Sequence, residues 1–244
     1  MSAVKLVFVR HGQTTGNRDD VLQGRSVDFP LTEKGRWEAN RVGQALKHVQ
    51  WDAVLSSDLG RAMDTCRIMM QEARKGGGVE QIPQPVALLR EISYGVREGL
   101  PRSRGVEEAR AIVSRERGVD VSEVVDNAET SEDVFSRQQE FLKQLREVVA
   151  PFLPGGACKV LCVSHGGFIK RFLHSFASCG SIEKIHNCSI SAFKVCWREG
   201  GLDDEPTPTI TVDSDSHLNS IDHIRGGEVG VFDSDSEGLK CPFI

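Results

Sequence analysis

LVFVRHGQTTGN, residues 6–17, runs from four apolar residues straight into a cation, an imidazole and a glycine. Leu6–Val9 shows no polar alternation, which suits a central strand buried on both faces. Such a strand has no packing reason to end in Arg10 and His11, so the pair predicts chemistry at a strand end. A histidine beside an arginine is pushed towards its neutral form by the neighbouring cation, and a neutral imidazole is what a nucleophile requires. Gly12 lets backbone approach closely and offers the ring's second nitrogen a carbonyl, which would set the tautomer.

Outward from this stretch the pattern alternates. Strand-like runs at Lys5–Val9, Trp51–Leu55, Pro85–Leu89 and Val160–Val163 are separated by helical periodicities. One helix opens at Thr32-x-x-Gly35 after the turn Asp28–Thr32 and carries Trp37, Val42, Leu46 and Val49 on one side. A second carries Ala62, Cys66, Met69 and Met70 and stops at the glycines 76–78. A third, opened by Ser131, reaches about Val149 with Phe135, Leu142, Leu145 and Val149 as its stripe. A fourth follows Ser164-His-Gly-Gly167 with Phe168, Phe172 and Phe176. Ser189–Trp197 and Thr207–Val212 predict two more strands, and residues 98–130 are less regular and richly charged. Strands alternating with helices imply an α/β fold with a mostly parallel sheet covered on both faces. Sites in such sheets lie beyond the carboxyl ends of the strands, where Arg10-His11, Asp58 to Arg61, Glu91 and His165 all fall.

Composition narrows the partners. The 244 residues hold 39% apolar and 27% charged residues, with a net charge of −5, so a general nucleic-acid binder is not expected. No apolar run has the length of a membrane span, and the first residues lack the form of a signal peptide. Seven scattered cysteines read as buried, reduced thiols of a cytoplasmic protein. No cluster has zinc-ligand spacing, and no cofactor is expected. From about residue 226 the composition turns glycine-rich and acidic, which predicts a disordered tail after a domain of residues 1–225. Within it Cys241-Pro-Phe-Ile244 has the bare form of a prenylation signal, opposed by its proline and the acidic run upstream. Ser234 and Ser236 stand in acidic surroundings suited to phosphorylation.

The residues together describe an anion pocket around an imidazole. Arg10 and Arg61 offer planar forks matched to the non-bridging oxygens of a phosphoryl group, and Arg61 lies early in a helix whose free N–H groups favour an anion. Asn17 and the backbone at Gly24 can donate further hydrogen bonds. His165, if protonated, would neutralise charge developing on the equatorial oxygens. Glu91 would protonate the departing alcohol and later activate water. The expected reaction is two in-line displacements with His11 as nucleophile and no metal.

Arg10-His11-Gly12 with Asn17, LTEKG at 31–35, SSDLGRAMDT at 56–65, LREISYGVREG at 89–99 and VSHGG at 163–167 resembles the histidine phosphatase superfamily, the phosphoglycerate mutase-like clan. The resemblance covers the chain to about residue 198. It implies a three-layer α/β/α sandwich, a phosphohistidine at His11, a phosphate pocket of Arg10, Asn17, Arg61 and His165, and Glu91 as proton donor. Gln23, Gly24, Tyr94, Gly166 and Lys170 join the implied substrate contacts. The segment after the glutamate motif is shorter than in the cofactor-dependent mutases and lacks their tyrosine–proline-rich stretch, which favours a phosphatase. VLQGRSVDFPLTEKG and ITVDSDSHLN are most similar to the TIGAR-type fructose-2,6-bisphosphatases.

The expected ligand is therefore a small phosphorylated metabolite, a sugar bisphosphate first. A 2,3-bisphosphoglycerate phosphatase or a broad phosphomonoesterase is the alternative within the clan, and a catalytically weak phospho-ligand-binding protein the alternative outside it. Residues 96–130 would form a cap that chooses the substrate. There Arg102, Arg104, Arg110, Arg115 and Arg117 either meet a second anionic group or form a solvated face paired with Glu107, Glu108 and Glu116.

Overall fold

The computed structural model describes residues 3–75, 81–153, 158–176, 184–197 and 208–212. The glycines at 76–78, the acidic tail, Cys241, Ser234 and Ser236 lie outside them, as do residues 213–219 of the last strand motif. In chain order the regular elements are β1 (Ala3–Arg10), α1 (Thr15–Arg18), α2 (Glu33–Leu46), β2 (Ala53–Ser56), α3 (Gly60–Lys75) and β3 (Gln84–Pro85). They continue with α4 (Val106–Arg117), α5 (Ser131–Val149), β4 (Cys158–Ser164), α6 (Gly166–Phe176), β5 (Ile190–Trp197) and β6 (Pro208–Val212).

Among the described residues six strands form one sheet in the order β3-β2-β4-β1-β5-β6. Pairing is parallel from β3 through β1 and antiparallel for β5 and β6. Side chains of β1 alternate between two cores. Val4, Leu6 and Phe8 pack with Phe141, Leu145, Phe168 and Phe172 of α5 and α6. Val7 and Val9 pack with Val42, Leu46, Cys66 and Met69 of α2 and α3. Alternate residues serving opposite faces produce three layers, α/β/α, and explain why this strand reads as a continuous apolar run. No described helix is long and apolar enough to cross a membrane.

Several elements differ from the sequence reading. Of the expected strand Pro85–Leu89 only Pro85 lies in the two-residue β3, and a tight 3-10 turn follows over Ala87–Leu89, which turns the chain inward so that Leu89 is buried. Trp37 and Phe135 are not in the core: each is exposed at the edge of its helix. The buried faces are Ala39, Val42 and Leu46 on α2 and Val134, Phe141, Leu142 and Leu145 on α5. Val49 lies beyond the end of α2 and packs on the second core from outside the helix. Thr130, not Ser131, caps α5, with Asp133 completing a reciprocal capping box. The charged stretch 98–130 holds α4, closed by Gly118 in the left-handed conformation (φ 66°).

Register aligns the strand ends. Arg10 pairs with Ser164 and Val163 with Ser56, so β1, β4 and β2 finish side by side. The N–H of His11 donates to Ser164 O at 2.9 Å, and that of Ser57 to Val163 O at 2.8 Å. Because β5 runs antiparallel, its beginning also lies at this edge.

Phe8 is the centre of the first core, with the rings of Phe141, Phe168, Phe172 and Phe193 at 5.1–6.1 Å, three of them edge-on. Phe8→Ala is expected to lower the unfolding free energy by about 3–5 kcal/mol. Chemical denaturation of the purified variant checks this through the shift of its midpoint at an unchanged slope.

Candidate active site

His11 stands just past β1, only 2% exposed. Its Nδ1 lies 2.8 Å from Gly12 O, and a carbonyl can only accept, so Nδ1 carries the proton and Nε2 keeps its lone pair. Burial first, then Arg10 and Arg61, hold the imidazole well below its ordinary range, against the opposing hydrogen bond to Gly12. The sequence reading attributed neutrality to the adjacent cation; burial is the larger cause. Gly12 is required by contact: a Cβ there would stand 2.4 Å from Gly35 O at the start of α2. The N–H of Gly12 donates to Thr65 Oγ1 at 3.0 Å, and that hydroxyl donates to Arg61 O at 2.7 Å, tying the loop to α3.

Two guanidinium groups face the same space. Arg61 is 2% exposed. It donates from Nη2 to Gly24 O at 2.7 Å and from Nη1 to Asp28 Oδ1 at 2.8 Å and Val27 O at 3.3 Å. Arg10 donates from Nη1 to Ile185 O at 2.6 Å. The buried Nε of each arginine finds no partner within the protein.

His165, buried at the end of β4, has its ring centroid 5.1 Å from that of His11. Its Nε2 lies 2.8 Å from Ser57 Oγ, and Leu59 N–H donates to the same oxygen at 3.3 Å. His165 Nε2 is thus engaged with the Ser57 hydroxyl, while Nδ1 is buried with no protein partner. Burial, with Arg61, His11, Arg10 and Arg137 around it, holds this imidazole too well below its ordinary range. The ring is therefore neutral in the free protein, and the protonated form on which its charge-neutralising role depends is not the resting one.

Glu91 lies 9% exposed at the N-terminus of α6. Its carboxylate accepts from the N–H groups of Ile92 (2.9 Å), Gly167 (3.1 Å) and Phe168 (3.0 Å). Gly166 and Gly167 leave room for this approach. A Cβ on Gly167 would fall 2.5 Å from Glu91 Oε1 and 2.9 Å from the Tyr94 hydroxyl, and one on Gly166 would crowd Arg10 Nε at 3.1 Å. Glu91 first, then burial, pushes the Tyr94 hydroxyl far up, so Tyr94 stays protonated beside that carboxylate.

The other predicted contacts divide. Asn17 completes a capping box with Thr14. Its Oδ1 accepts from Thr14 N–H at 3.2 Å and from Asn187 Nδ2 at 3.1 Å, which leaves the Nδ2 side as its donor. Gln23 is buried, and its Oε1 accepts from Thr14 Oγ1 at 2.9 Å. The contact shown for Gly24 is through its carbonyl on Arg61; its φ of 55° and the Glu98 side chain against it exclude a larger residue. Lys170 is half-buried one turn along α6. Of the basic residues in the cap, Arg104 pairs with Glu108 and Arg115 donates to Ala111 O. Arg102 pairs with Asp20 at 3.2 Å, and its charge also acts on Arg10 and Tyr94.

Sequence reasoning missed Asn187, which donates to His11 O at 3.0 Å and to Asn17. It precedes β5, and only the antiparallel return of that strand brings it to this edge. Ser57 stood inside a quoted motif but its role towards His165 needs the fold. Among the described residues no three His, Cys, Asp or Glu side chains stand together as a metal site would need.

Residues 6–202 match the model of the histidine phosphatase superfamily, branch 1. The chain belongs to that superfamily. It is 33% identical over 194 residues to fructose-2,6-bisphosphatase TIGAR B of Danio rerio, covering 70% of this chain and 73% of that one. To a 2,3-bisphosphoglycerate-dependent phosphoglycerate mutase of Rhizobium etli it is 35% identical over 176 residues, 68% of this chain and 76% of that one. Its structure is similar to that of a phosphoglycerate mutase from Bacillus anthracis, with a TM-score of 0.64, 25% identity, and coverage of 88% and 93%. Its class of activity is phosphoric monoester hydrolysis.

Both site histidines are neutral when folded and ordinary when unfolded, so below about pH 6.5 the unfolded chain binds more protons and stability falls. Each contributes a slope of about 1.4 kcal/mol per pH unit from there down to its lowered value. Unfolding free energies measured from pH 7 to 5 are expected to fall less steeply for His11→Asn/His165→Asn than for the native protein.

Proposed function

We propose that the protein hydrolyses a small sugar bisphosphate, fructose 2,6-bisphosphate first, through a phosphohistidine at His11 and without a metal ion. The observation that carries this reading is a neutral His11 whose Nδ1 is engaged by Gly12 O, close to three buried nitrogens that lack a protein partner, on Arg10, Arg61 and His165. Three fixed groups in an enclosed site suit the three equatorial oxygens of a phosphoryl group in transfer, since they need no reorganisation as charge shifts.

In the first half-reaction the Nε2 lone pair of His11 forms a bond to phosphorus as the ester P–O bond breaks. The electron pair leaves on the alcohol oxygen, which takes a proton from Glu91. In the second, water attacks the phosphohistidine, Glu91 takes its proton, and inorganic phosphate leaves with the imidazole restored. Arg10 and Arg61 supply the opposing charge, Asn17 donates at the rim, and His165 donates from Nδ1. A cap over residues 96–130 selects the substrate. The Val21–Pro101 bridge and the hydrogen bonds between Leu22 and residues 99 and 100 support this, holding that segment against the loop that carries Gly24. The free, mostly buried described cysteines suit a cytoplasmic setting.

The Danio rerio relative's name supports fructose 2,6-bisphosphate. The Rhizobium etli relative's name supports the second reading, a 2,3-bisphosphoglycerate or broad phosphomonoesterase activity. A kinetic panel of phosphorylated metabolites separates the two. Fructose 2,6-bisphosphate is expected to exceed p-nitrophenyl phosphate in kcat/KM by at least tenfold, and equal rates would assign the broad activity. His11→Ala is expected to abolish turnover, with a loss on the order of 10⁴-fold or more, and to remove the acid-labile, base-stable label that ³²P-substrate leaves on the native protein.

A further inference from the structure

Glu91 stands in an irregular segment between two 3-10 turns, Ala87–Leu89 and Gly95–Arg97, where no helix or strand sets its backbone. Three side chains from distant parts of the chain do so instead. Arg137, on α5, donates from Nη1 to Leu88 O at 2.7 Å and Arg90 O at 2.9 Å, and from Nη2 to Glu91 O at 3.4 Å. Arg25, in the loop beyond Gly24, donates from Nε to the same Glu91 O at 2.9 Å. Both guanidinium groups meet one carboxylate, Glu129. Arg137 binds it through Nε and Nη2, each at 3.0 Å, and Arg25 through Nη2.

Glu129 also holds the segment directly. Its Oε2 accepts from Ser93 N–H at 3.0 Å, and its own N–H donates to Ser93 O at 3.0 Å. The side chains of Glu129 and Arg137 are 12% and 11% exposed. Burial raises the Glu129 carboxyl, yet the Arg137 and Ser93 hydrogen bonds and both arginine charges leave it below its ordinary value. Without that anion, buried Arg137 and half-buried Arg25 would repel each other across the Glu91 carbonyl. The guanidinium of Arg137 also lies 5.0 Å over the ring of Phe168, whose N–H binds the Glu91 carboxylate.

We infer that Glu129, acting through Arg25 and Arg137, is the positioning residue that fixes Glu91 for proton transfer to the leaving group. This rests on the reading of Glu91 as proton donor. A misplacement of about 1 Å at a reacting group costs on the order of a hundredfold, and the cost should fall on esters whose leaving group needs the proton. Phenyl phosphate has such a leaving group; p-nitrophenyl phosphate does not.

The test compares kcat/KM on these two esters, because that ratio reports only the steps up to release of the alcohol. In Glu129→Gln the phenyl ester is expected to lose about 30- to 100-fold and the p-nitrophenyl ester less than about fivefold. Arg137→Lys keeps a charge for Glu129 but loses the fork that reaches three carbonyls, and should show the same discrimination. It decides the matter if Glu129→Gln does not fold. Glu91→Gln is run beside them. If it discriminates and the network variants lose both esters equally, the positioning role is overturned while Glu91 keeps its own. If Glu91→Gln itself fails to discriminate, the proton-donor reading falls and the inference with it.

Discussion

Everything at the carboxyl edge of this sheet depends on burying positive charge beside two imidazoles. Arg61 is almost wholly enclosed, and Arg10 is half-buried with its Nε enclosed and without a protein partner. Burying a cation unpaired costs several kcal/mol, so the fold surrounds each with acceptors. Gly24, Val27 and Ile185 give carbonyls, Asp28 gives Arg61 a full countercharge, and the charge of Glu91 acts on Arg10. These contacts use outer nitrogens of both forks and leave the inner Nε atoms buried without a protein partner. The same enclosure keeps His11 and His165 neutral. A nucleophile with a free lone pair and a set of unengaged donors are thus two results of one desolvation.

The acid side of the site is organised differently. Around His11 the parallel register does the positioning, since β1, β4 and β2 end together. Glu91 has no strand to hold it, because β3 stops six residues earlier at Pro85. Carboxylate clamps replace it. Glu98 accepts from the N–H groups of Arg25 and Ser26 on one oxygen and from Tyr94 on the other, joining the loop after Gly24 to the segment after Glu91. Gly24 in turn holds Arg61. The phosphate side and the acid side are therefore parts of one hydrogen-bonded frame.

Much of this was legible before folding was considered. The strand ends at Arg10-His11 and Ser164-His165, the cap at Thr32, and the glycines that allow close approach all carry local signals. Each is a matter of residue type, spacing or the absence of a Cβ. The errors have one physical source. Periodicity puts Trp37 and Phe135 on the apolar side of their helices, but it reports which face a residue shares, not how far the neighbouring layer extends over it. Pro85–Leu89 read as a strand because a short apolar run looks alike in a strand and in a buried turn.

The sequence by itself determined the sheet, the two helical layers and the identity of the chemical groups at the sheet's edge, since these follow from periodicity and from side chains next to strand ends. Tertiary structure alone decided the protonation state of His165, because that depends on charges from three other segments and on burial. It alone brought Asn187 to His11, through the antiparallel return of β5. And it alone joined Arg25, Glu129 and Arg137 around the Glu91 carbonyl, residues more than a hundred positions apart at the extremes. Ion pairs of that span leave no local pattern, for their energy exists only once the chain has closed around them.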